Sequence, residues 1–242
     1  MPTIAHLSDV HLDGTSERLG RLARALDEAA VSGADAVLVT GDIADHGLAT
    51  EYAQFRAAMP TDRPWIAVPG NHDRRETARP FLGGAADGPL DQVLDLSGLR
   101  IVGLDSLIEG ANEGALAQES LEFADRAVRS APGPVVLALH HPPVPVGHHL
   151  IDTMGLREPD GLARIAAAPA VAAVLTGHVH TSLAARFAGT PLLGAGSVAS
   201  TMRLGSRIDP ITDTRAMPVL AVHVFDEDGW VRTVFHPLSP QP

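Results

Sequence analysis

The 242-residue chain contains neither cysteine nor lysine, and its only tyrosine is Tyr52. The absence of cysteine excludes disulfides and thiolate metal sites, and it is compatible with a reducing compartment. Hydrophobic runs are short, because none approaches the roughly 18 apolar residues of a membrane-spanning helix. The first residues, MPTIAHLSDV, contain neither a basic segment nor a long apolar one. We therefore expect no signal peptide and a cytoplasmic protein.

Positive charge is also scarce, and all of it is arginine. The chain has 18 arginines and 29 acidic residues, which gives a formal net charge of −11. Such a charge disfavours DNA, RNA and anionic membranes as partners. A small anionic substrate remains compatible with it, because a bound metal reverses the charge locally. Twelve histidines are present, so their positions are of particular interest.

Buried strands alternate with amphipathic helices in the first third of the chain. We predict three strands and two helices, at Thr3–Asp9, Ser16–Gly33, Ala34–Asp42, Leu48–Met59 and Pro64–Asp73 in chain order. Ser16 is the expected N-cap of the first helix. This order predicts a parallel sheet with right-handed crossovers.

The rest of the chain has more predicted strand than helix. We expect a hairpin, a helix, two buried strands and a series of short strands, at Val93–Ser106, Ala115–Ser130, Pro134–Pro143, Val171–His180 and Ser182–Phe235. Phe81–Leu90 is glycine-rich and is predicted to be a loop. No linker is visible, so we expect one α/β domain over residues 1–242, with two packed sheets covered by helices.

Polar residues follow five of the predicted buried strands. They are Asp9 and His11, Asp42, Asn71 and His72, His140, and His178 and His180. If these strands are neighbours, their carboxyl ends bring the side chains into one crevice. Each motif alone has an ordinary explanation, since an aspartate or asparagine can simply stabilise a turn. Five such motifs in one chain favour a metal site.

The motifs DVH, GDIAD, GNHD, HHPP and GHVH together resemble the calcineurin-like metallophosphoesterase superfamily. The resemblance implies a four-layer αββα sandwich of two mixed β-sheets flanked by helices, with a centre of two divalent or trivalent metals. By this resemblance, one metal would bind Asp9, His11 and His180, and the other Asn71, His140 and His178. Asp42 would bridge the two metals. Oxygen and imidazole ligands suit Fe, Mn, Zn or Co.

The same resemblance implies a catalytic role for His72, which would face the substrate as a proton donor or a stabiliser of phosphate oxygens. The attacking group would be a metal-bridging hydroxide. Asp73 is expected either to orient His72 or to cap a turn, and Asp45 either to orient a ligand imidazole or to serve a turn. Since Asp45 stands where purple acid phosphatases have a tyrosine ligand, a tyrosinate–iron site is disfavoured.

Within the superfamily, the segment His140–Leu162, which begins with HHPP, resembles class III cyclic nucleotide phosphodiesterases. We expect a metal-dependent phosphodiesterase for small phosphodiesters, with 3′,5′-cyclic nucleotides such as cAMP as the first candidates. The alternatives are a glycerophosphodiesterase or another phosphoesterase, and, least favoured, a non-catalytic metal-binding scaffold.

Several polar residues keep two interpretations. His148 and His149 either contact substrate or are solvated, and Arg203 and Arg207 either bind phosphate or lie on the surface. His141 is expected to be a neighbour of a ligand and not a ligand itself. The remaining histidines, His6, His46, His223 and His236, are expected to be structural or exposed. The C-terminal strands are a candidate homodimer contact.

Overall fold

Two large β-sheets form the centre of the molecule. The computed structural model describes residues 1–205 and 210–238. In these ranges the strands are β1 (Thr3–Leu7), β2 (Ala36–Thr40), β3 (Trp65–Val68), β4 (Gln92–Leu96), β5 (Leu99–Gly103), β6 (Val135–Ala138), β7 (Val171–Thr176), β8 (Leu183–Phe187), β9 (Thr190–Gly194), β10 (Thr201–Met202), β11 (Thr212–Asp213), β12 (Val219–Phe225) and β13 (Val231–Pro237). The helices are α1 (Ser16–Val31), α2 (Ala49–Ala58), α3 (Arg75–Leu82), α4 (Gln118–Arg129) and α5 (Asp160–Ala166), with a 3₁₀ turn at Ile151–Thr153.

Both large sheets are mixed. The first has the strand order β13-β12-β1-β2-β3, and β1, β2 and β3 run parallel as predicted. The C-terminal strand β12 pairs antiparallel with β1. The second sheet has the order β4-β5-β6-β7-β9-β8, with β5, β6, β7 and β9 parallel and antiparallel strands at both edges. The parallel strands are buried and strongly apolar, as expected when both faces of a sheet are covered.

Three hydrophobic clusters define the four layers. Leu22, Phe55 and Leu82 pack the first three helices onto the outer face of the first sheet. Helices α4 and α5 cover the second sheet in the same way. Between the sheets, Ile4, Leu38 and Phe225 of the first sheet meet Ile101 and Val136 of the second, among others. Full burial of such a side chain contributes about 1.5–3 kcal/mol to stability. The structure confirms the predicted two-sheet sandwich.

Local details differ from the prediction at two helices. The N-cap of α1 is Thr15 and not Ser16, because the Thr15 hydroxyl accepts a hydrogen bond from the Arg18 amide at 3.4 Å. Helix α3 was not predicted, and its last turn overlaps the segment expected to be a loop. Pro80 lies inside α3, and proline normally ends a helix. The apolar face of this short helix nevertheless packs into the first core cluster.

None of the helices in the described ranges has both the length and the apolar character needed to cross a membrane. The cytoplasmic location stays a prediction.

Candidate metal centre

The loops that follow β1, β2, β3, β6 and β7 meet at one end of the sandwich. These strands are not all neighbours in one sheet, since the first three belong to one sheet and the last two to the other. The sheets instead stack so that their ends coincide. His140 Nδ1 lies 2.6 Å from the carbonyl oxygen of Thr40, and the His178 amide donates to the Asp9 carboxylate at 3.1 Å. Both contacts cross from one sheet to the other.

The first cluster contains Asp9, His11, Asp42 and His180, all of them buried. Nε2 of His11 lies 3.1 Å from Nε2 of His180 and 3.4 Å from Oδ2 of Asp42. Nε2 of His180 lies 3.3 Å from Oδ1 of Asp9. The structure therefore brings together the three residues predicted for one metal and the predicted bridging aspartate.

The second cluster lies on the other side of Asp42. Oδ1 of Asn71 is 3.1 Å from Nε2 of His140 and 3.0 Å from Nδ1 of His178. The two ring nitrogens are 3.2 Å apart. Oδ1 of Asp42 lies 3.5 Å from Nε2 of His140, while its other oxygen faces His11 of the first cluster. A single carboxylate thus faces both groups of nitrogens.

Pure acceptors on the far side of His11 and His140 select the tautomer of these two rings, and a hydroxyl beside His180 is compatible with the same tautomer. Nδ1 of His11 lies 2.9 Å from Oδ1 of Asp45, and Nδ1 of His140 lies close to the Thr40 carbonyl. Nδ1 of His180 lies 2.8 Å from the Ser200 hydroxyl. With a proton on each of these outer nitrogens, the inner nitrogens carry lone pairs that face each other and the carboxylates. This donor set of imidazole nitrogens and carboxylate and amide oxygens fits cations such as Mn, Fe, Zn or Co.

The electrostatics of the two clusters favour positive charge. Burial alone would raise the pKa of Asp9, but His180 holds it at about 2. His140 likewise holds the pKa of Asp42 well below its usual value, against the effect of burial. Asp42 in turn raises the pKa of His140 to about 9, although burial acts in the other direction. Burial, with a further contribution from His140, lowers the pKa of His178 to about 4. In the metal-free protein a proton on His140 therefore occupies the place of a cation beside Asp42.

The backbone at the site is strained. Five predicted ligands have left-handed φ angles: Asp9 (53°), His11 (47°), Asp42 (50°), His178 (70°) and His180 (53°). Such angles are uncommon outside glycine and cost of order 1–3 kcal/mol each. The loops after β1, β2 and β7 thus turn sharply where they bring these polar side chains to the crevice.

Two glycines make the crossing of these loops possible. A Cβ at Gly70 would lie 2.8 Å from Nε2 of His140 and closer still to the Asp42 carboxylate. A Cβ at Gly177 would lie 2.7 Å from the Thr40 carbonyl oxygen. Both distances are too short for a carbon atom, so the glycines of GNHD and GHVH serve close approach of the chain segments.

His72 lies at the rim of the first cluster. Its amide donates to Oδ1 of Asp42 at 2.9 Å, and its ring meets the ring of His11 edge-on, with centroids 4.6 Å apart. Nδ1 of His72 lies 3.1 Å from the backbone carbonyl of Asp45. The side chain is 42% exposed, so it is accessible to a molecule bound over the cluster.

The two neighbouring aspartates have different contacts. Asp45 accepts from His11, which agrees with the interpretation that it orients a ligand imidazole. Asp73 accepts from the amides of Gly70, Ile43 and Ala44 and from the Tyr52 hydroxyl, at 2.8–3.1 Å. These four contacts favour the turn-capping alternative for Asp73. Tyr52 is buried beside Asp73, outside both clusters.

Three of the residues with two interpretations, His148, His149 and Arg203, lie outside the two clusters. The rings of His148 and His149 stack on each other, with His149 exposed. Arg203 forms an ion pair with Asp213, which agrees with a surface role. Arg207 lies outside the described residues. Of the four histidines expected to be structural or exposed, His6 and His223 are buried, and His46 and His236 are exposed.

The segment after β9 makes contacts with the site that the sequence does not predict. The Ser197 hydroxyl donates to the Asp9 carbonyl at 3.0 Å, and the Ser200 hydroxyl contacts His180. Both serines come from the run GAGSVAS, where only the later arginines had been considered. A run of small residues between two strands is a weak signal of close packing, and it does not identify the serines that contact ligands.

Known proteins resemble this chain in sequence and in fold. The profile of the calcineurin-like phosphoesterase family matches residues 2–182. A probable cyclic nucleotide phosphodiesterase of Rhodococcus erythropolis is 36% identical over 98% of this chain and 83% of that protein. A cAMP/cGMP dual specificity phosphodiesterase of Mycobacterium tuberculosis is 35% identical over 83% of this chain and 69% of that protein. A solved dimetal phosphatase from Danio rerio matches 98% of this chain and 99% of that chain, with a TM-score of 0.70 and 14% identity, which is a likeness of fold.

Proposed function

The chain belongs to the calcineurin-like phosphoesterase family and is a metal-dependent phosphodiester hydrolase, and from that premise we propose that it uses two metal ions to hydrolyse small phosphodiesters. We propose 3′,5′-cyclic nucleotides such as cAMP as the first substrate class. The observation that carries the two-metal proposal is the position of Asp42, whose two oxygens face different groups of imidazoles at 3.4 and 3.5 Å.

In this proposal each cluster holds one ion. Asp9, His11 and His180 would hold the first metal, and Asn71, His140 and His178 the second, with Asp42 shared between them. When bound, ions of this type lower the pKa of water and neutralise the charge that develops on a phosphoryl group. The chain's own contribution is to fix the ligand rings through Asp45, Thr40 and Ser200.

His72 is the proposed general acid. Its Nδ1 contacts the Asp45 carbonyl, which can only accept, so Nδ1 carries a proton. Nε2 can therefore donate to a leaving oxygen only when the ring is cationic. One oxygen of the Asp45 carboxylate lies 3.6 Å from Nδ1. A positioned proton donor of this kind accelerates a reaction by about 10²–10⁴-fold.

The charge distribution supports a small anionic substrate. Two dications beside Asp9 and Asp42 would leave the crevice net positive within a chain whose formal net charge is −11. A small phosphodiester is attracted to that local charge, whereas a long polyanion also meets the acidic surface. The name of the Rhodococcus relative, which matches 98% of this chain, supports cyclic nucleotides within this class.

The C-terminal strands belong to the same unit in this proposal. We propose that residues 1–242 form one domain, since β12 and β13 extend the sheet that contains β1. Whether these strands also form a homodimer contact stays a prediction.

The test starts from chelator-treated protein to which Mn²⁺ is returned. Hydrolysis of 3′,5′-cyclic AMP, bis(p-nitrophenyl) phosphate and a glycerophosphodiester is compared, with bound metal measured in the same samples. Metal-dependent cleavage of cyclic AMP supports the proposal. Cleavage of the artificial diester without cyclic AMP would reject the nucleotide class, and cleavage of the glycerophosphodiester would then identify the alternative. A metal-loaded protein that cleaves none of the three would contradict the enzymatic function.

A matched pair of variants controls for general loss of structure. Asp42→Asn removes the charge from the shared carboxylate, whereas Asp62→Asn removes the charge from an exposed carboxylate paired with Arg63. Only the first variant is expected to lose metal and activity. Equal activity in the two variants would contradict the role of Asp42.

A further inference from the structure

One of the four imidazoles in the two clusters lacks an outer partner. His11, His140 and His180 each have an acceptor on the ring nitrogen that faces away from the cluster. His178 directs Nδ1 into the second cluster, and its buried Nε2 has no hydrogen-bond partner among the described residues. Ligand histidines almost always donate their second N–H to an acceptor. His178 is therefore the incomplete member of the set.

A second buried nitrogen without a partner lies beside it. His141 is fully buried, and its Nε2 likewise has no hydrogen-bond partner in the described ranges. Nδ1 of the same ring lies 2.8 Å from the Ser106 hydroxyl. A Cβ at Gly114 would collide with this ring, so the packing around His141 leaves no room for a larger neighbour. The ring is held tightly while one of its nitrogens stays unsatisfied.

The two rings are already as close as hydrogen-bonded rings. The centroids of His141 and His178 are 4.9 Å apart, with planes inclined at 48°. His6 and His223 have centroids 5.2 Å apart at 42°, and their nitrogens are 3.0 Å apart. The rings of His11 and His180 have centroids 5.0 Å apart and planes inclined at 49°, and their Nε2 atoms are 3.1 Å apart. One ring nitrogen of His141 and one of His178 lie within 4.8 Å of each other. The proposed contact requires the two Nε2 atoms to approach each other while Nδ1 of His141 keeps its contact with Ser106.

We propose that His141 is a positioning residue for the second metal site, where its Nε2 accepts a hydrogen bond from the Nε2–H of His178. This inference rests on the proposed two-metal function. The bond fixes the ring of His178 with its Nδ1 lone pair directed at Asn71 and His140. It completes the set, so that every ligand imidazole has an outer acceptor.

The proposal assigns the proton of His141 to Nδ1, beside the Ser106 hydroxyl. The Ser106 hydroxyl also lies 3.5 Å from the backbone amide of His141, which can only donate. In the proposed tautomer the hydroxyl oxygen accepts from this amide and also from Nδ1–H of the same residue. Nε2 of the neutral ring is then left with a lone pair. The rival arrangement is an Nε2–H tautomer that donates to the nearby backbone carbonyl of Asn112.

Two substitutions test the roles of the two ring nitrogens of His141 separately. The terminal atoms of asparagine occupy the place of histidine Nδ1, and those of glutamine occupy the place of Nε2. His141→Asn thus keeps the Ser106 contact and removes the acceptor for His178, while His141→Gln does the reverse. The Kd of each Mn²⁺ is measured by chelator competition, without substrate, and the melting temperature of each metal-free variant is measured alongside.

We expect His141→Asn to weaken the second metal by about 10–100-fold and to leave the first unchanged. His141→Gln is expected to retain near-wild-type affinity for the second metal even where its melting temperature is lower. Equal weakening in both variants, or none in either, would overturn the inference and leave the phosphodiesterase function standing. One metal per wild-type chain would instead overturn the two-metal function together with the inference.

A spectroscopic measurement gives an independent answer. In the Zn²⁺-loaded wild type, ¹⁵N NMR of labelled histidine is expected to report a non-protonated Nε2 for His141 and a protonated Nε2 for His178. A protonated Nε2 on His141 would indicate that this nitrogen donates to the Asn112 carbonyl, and it would overturn the inference.

Discussion

His11 and His180 at the site, and His6 and His223 inside the sandwich, form two imidazole pairs of nearly the same geometry. Their closest nitrogens are 3.1 and 3.0 Å apart, and all four residues are buried. The first pair belongs to a group that could hold a metal, and the second does not. A short contact between buried imidazoles is thus not sufficient to identify a metal site.

The difference lies in the neighbours of each pair. Nε2 of His6 lies 2.8 Å from the Thr40 hydroxyl, and Nδ1 of His223 lies 2.8 Å from the Thr233 hydroxyl. Each hydroxyl can donate or accept as the ring requires. This chain of hydrogen bonds is complete without any ion. The nitrogens of the site pair lie 3.3–3.4 Å from Asp9 and Asp42, which only accept. Those carboxylates need a proton or a metal between them and the rings.

The two pairs also differ in backbone conformation. His6 and His223 lie within the regular strands β1 and β12. His11 and His180 lie in loops with left-handed φ angles. The uncharged pair, His6 and His223, therefore links strands of the first sheet through hydrogen bonds. The pair at the site lies where the chain is held in strained turns, a feature that is common at functional sites.

The strongest test of the comparison removes the carboxylate that both clusters share. Asp42→Ala should lose both metals and reduce phosphodiester hydrolysis to the level of the metal-free protein, because Asp42 faces ligands on both sides. Bound metal and turnover are measured on the same preparation. His223→Gln is the matched change at the uncharged pair, and it should bind both metals. A metal-loaded, active Asp42→Ala protein would show that the neighbouring carboxylate is not what makes one imidazole pair a metal site and the other not.

A second test separates metal binding from proton transfer. His72→Ala should keep both metals and lower turnover by about 10²–10⁴-fold, because the ring lies at the rim and donates to the leaving group in the proposed mechanism. Metal analysis and kcat on a substrate with a poor leaving group measure the two effects. A substrate with a good leaving group needs less protonation and should lose less activity. Unchanged turnover on both substrates would exclude His72 as the acid.

The pH dependence of metal binding gives a smaller effect with a definite sign. In the metal-free protein Asp42 raises the pKa of His140 to about 9, against burial, so the ring is protonated at neutral pH. A metal must displace that proton. The affinity for the second metal should therefore rise with pH, by about tenfold per unit, and level off above about 9. Chelator competition between pH 6.5 and 8.5 measures the slope, and a flat profile would contradict proton displacement at His140.

The uncharged pair should affect stability alone. Burial lowers the pKa of His223 to about 3, far below the ordinary value near 6.5 of the unfolded chain. The folded ring stays neutral while the unfolded ring takes up a proton, so this stabilisation is present above pH 6.5 and is lost as the pH falls toward 3. The loss is about 1.4 kcal/mol per pH unit below 6.5. Urea unfolding of metal-free protein at pH 7.5 and 5.5 should give a smaller pH effect for His223→Gln than for the wild type. Equal effects would show that His223 does not titrate differently on unfolding.

The motifs at the strand ends were readable from the sequence because their determinants are local. An apolar run followed by glycine and an aspartate or histidine identifies a strand end and its turn, as in GDIAD and GNHD. The structure brings Asp9, Asp42 and His140 within one crevice, although their strands belong to two sheets. The sequence could predict which residues end strands, but not that the two sheets stack with those ends together.

Contacts between distant segments were not predictable for the same reason. Ser200 contacts His180 and His6 contacts His223, and each contact depends on how loops and strands pack in three dimensions. Helix α3 is not predicted for a different reason. Pro80 disfavours a helix locally, whereas packing of the apolar face of α3 stabilises this helix. In each case tertiary packing decided what local preference could not.

The left-handed turns at the ligand positions also bear on how such a chain would change over generations. A ligand replaced by alanine or valine loses the metal contact and keeps the backbone strain, whereas glycine at the same position relieves the strain. A duplicated gene no longer selected for catalysis should therefore acquire glycine at positions 9, 11, 42, 178 and 180 sooner than other small residues. Glycine at these strand ends would mark a descendant lineage that retained the architecture after its chemistry was lost.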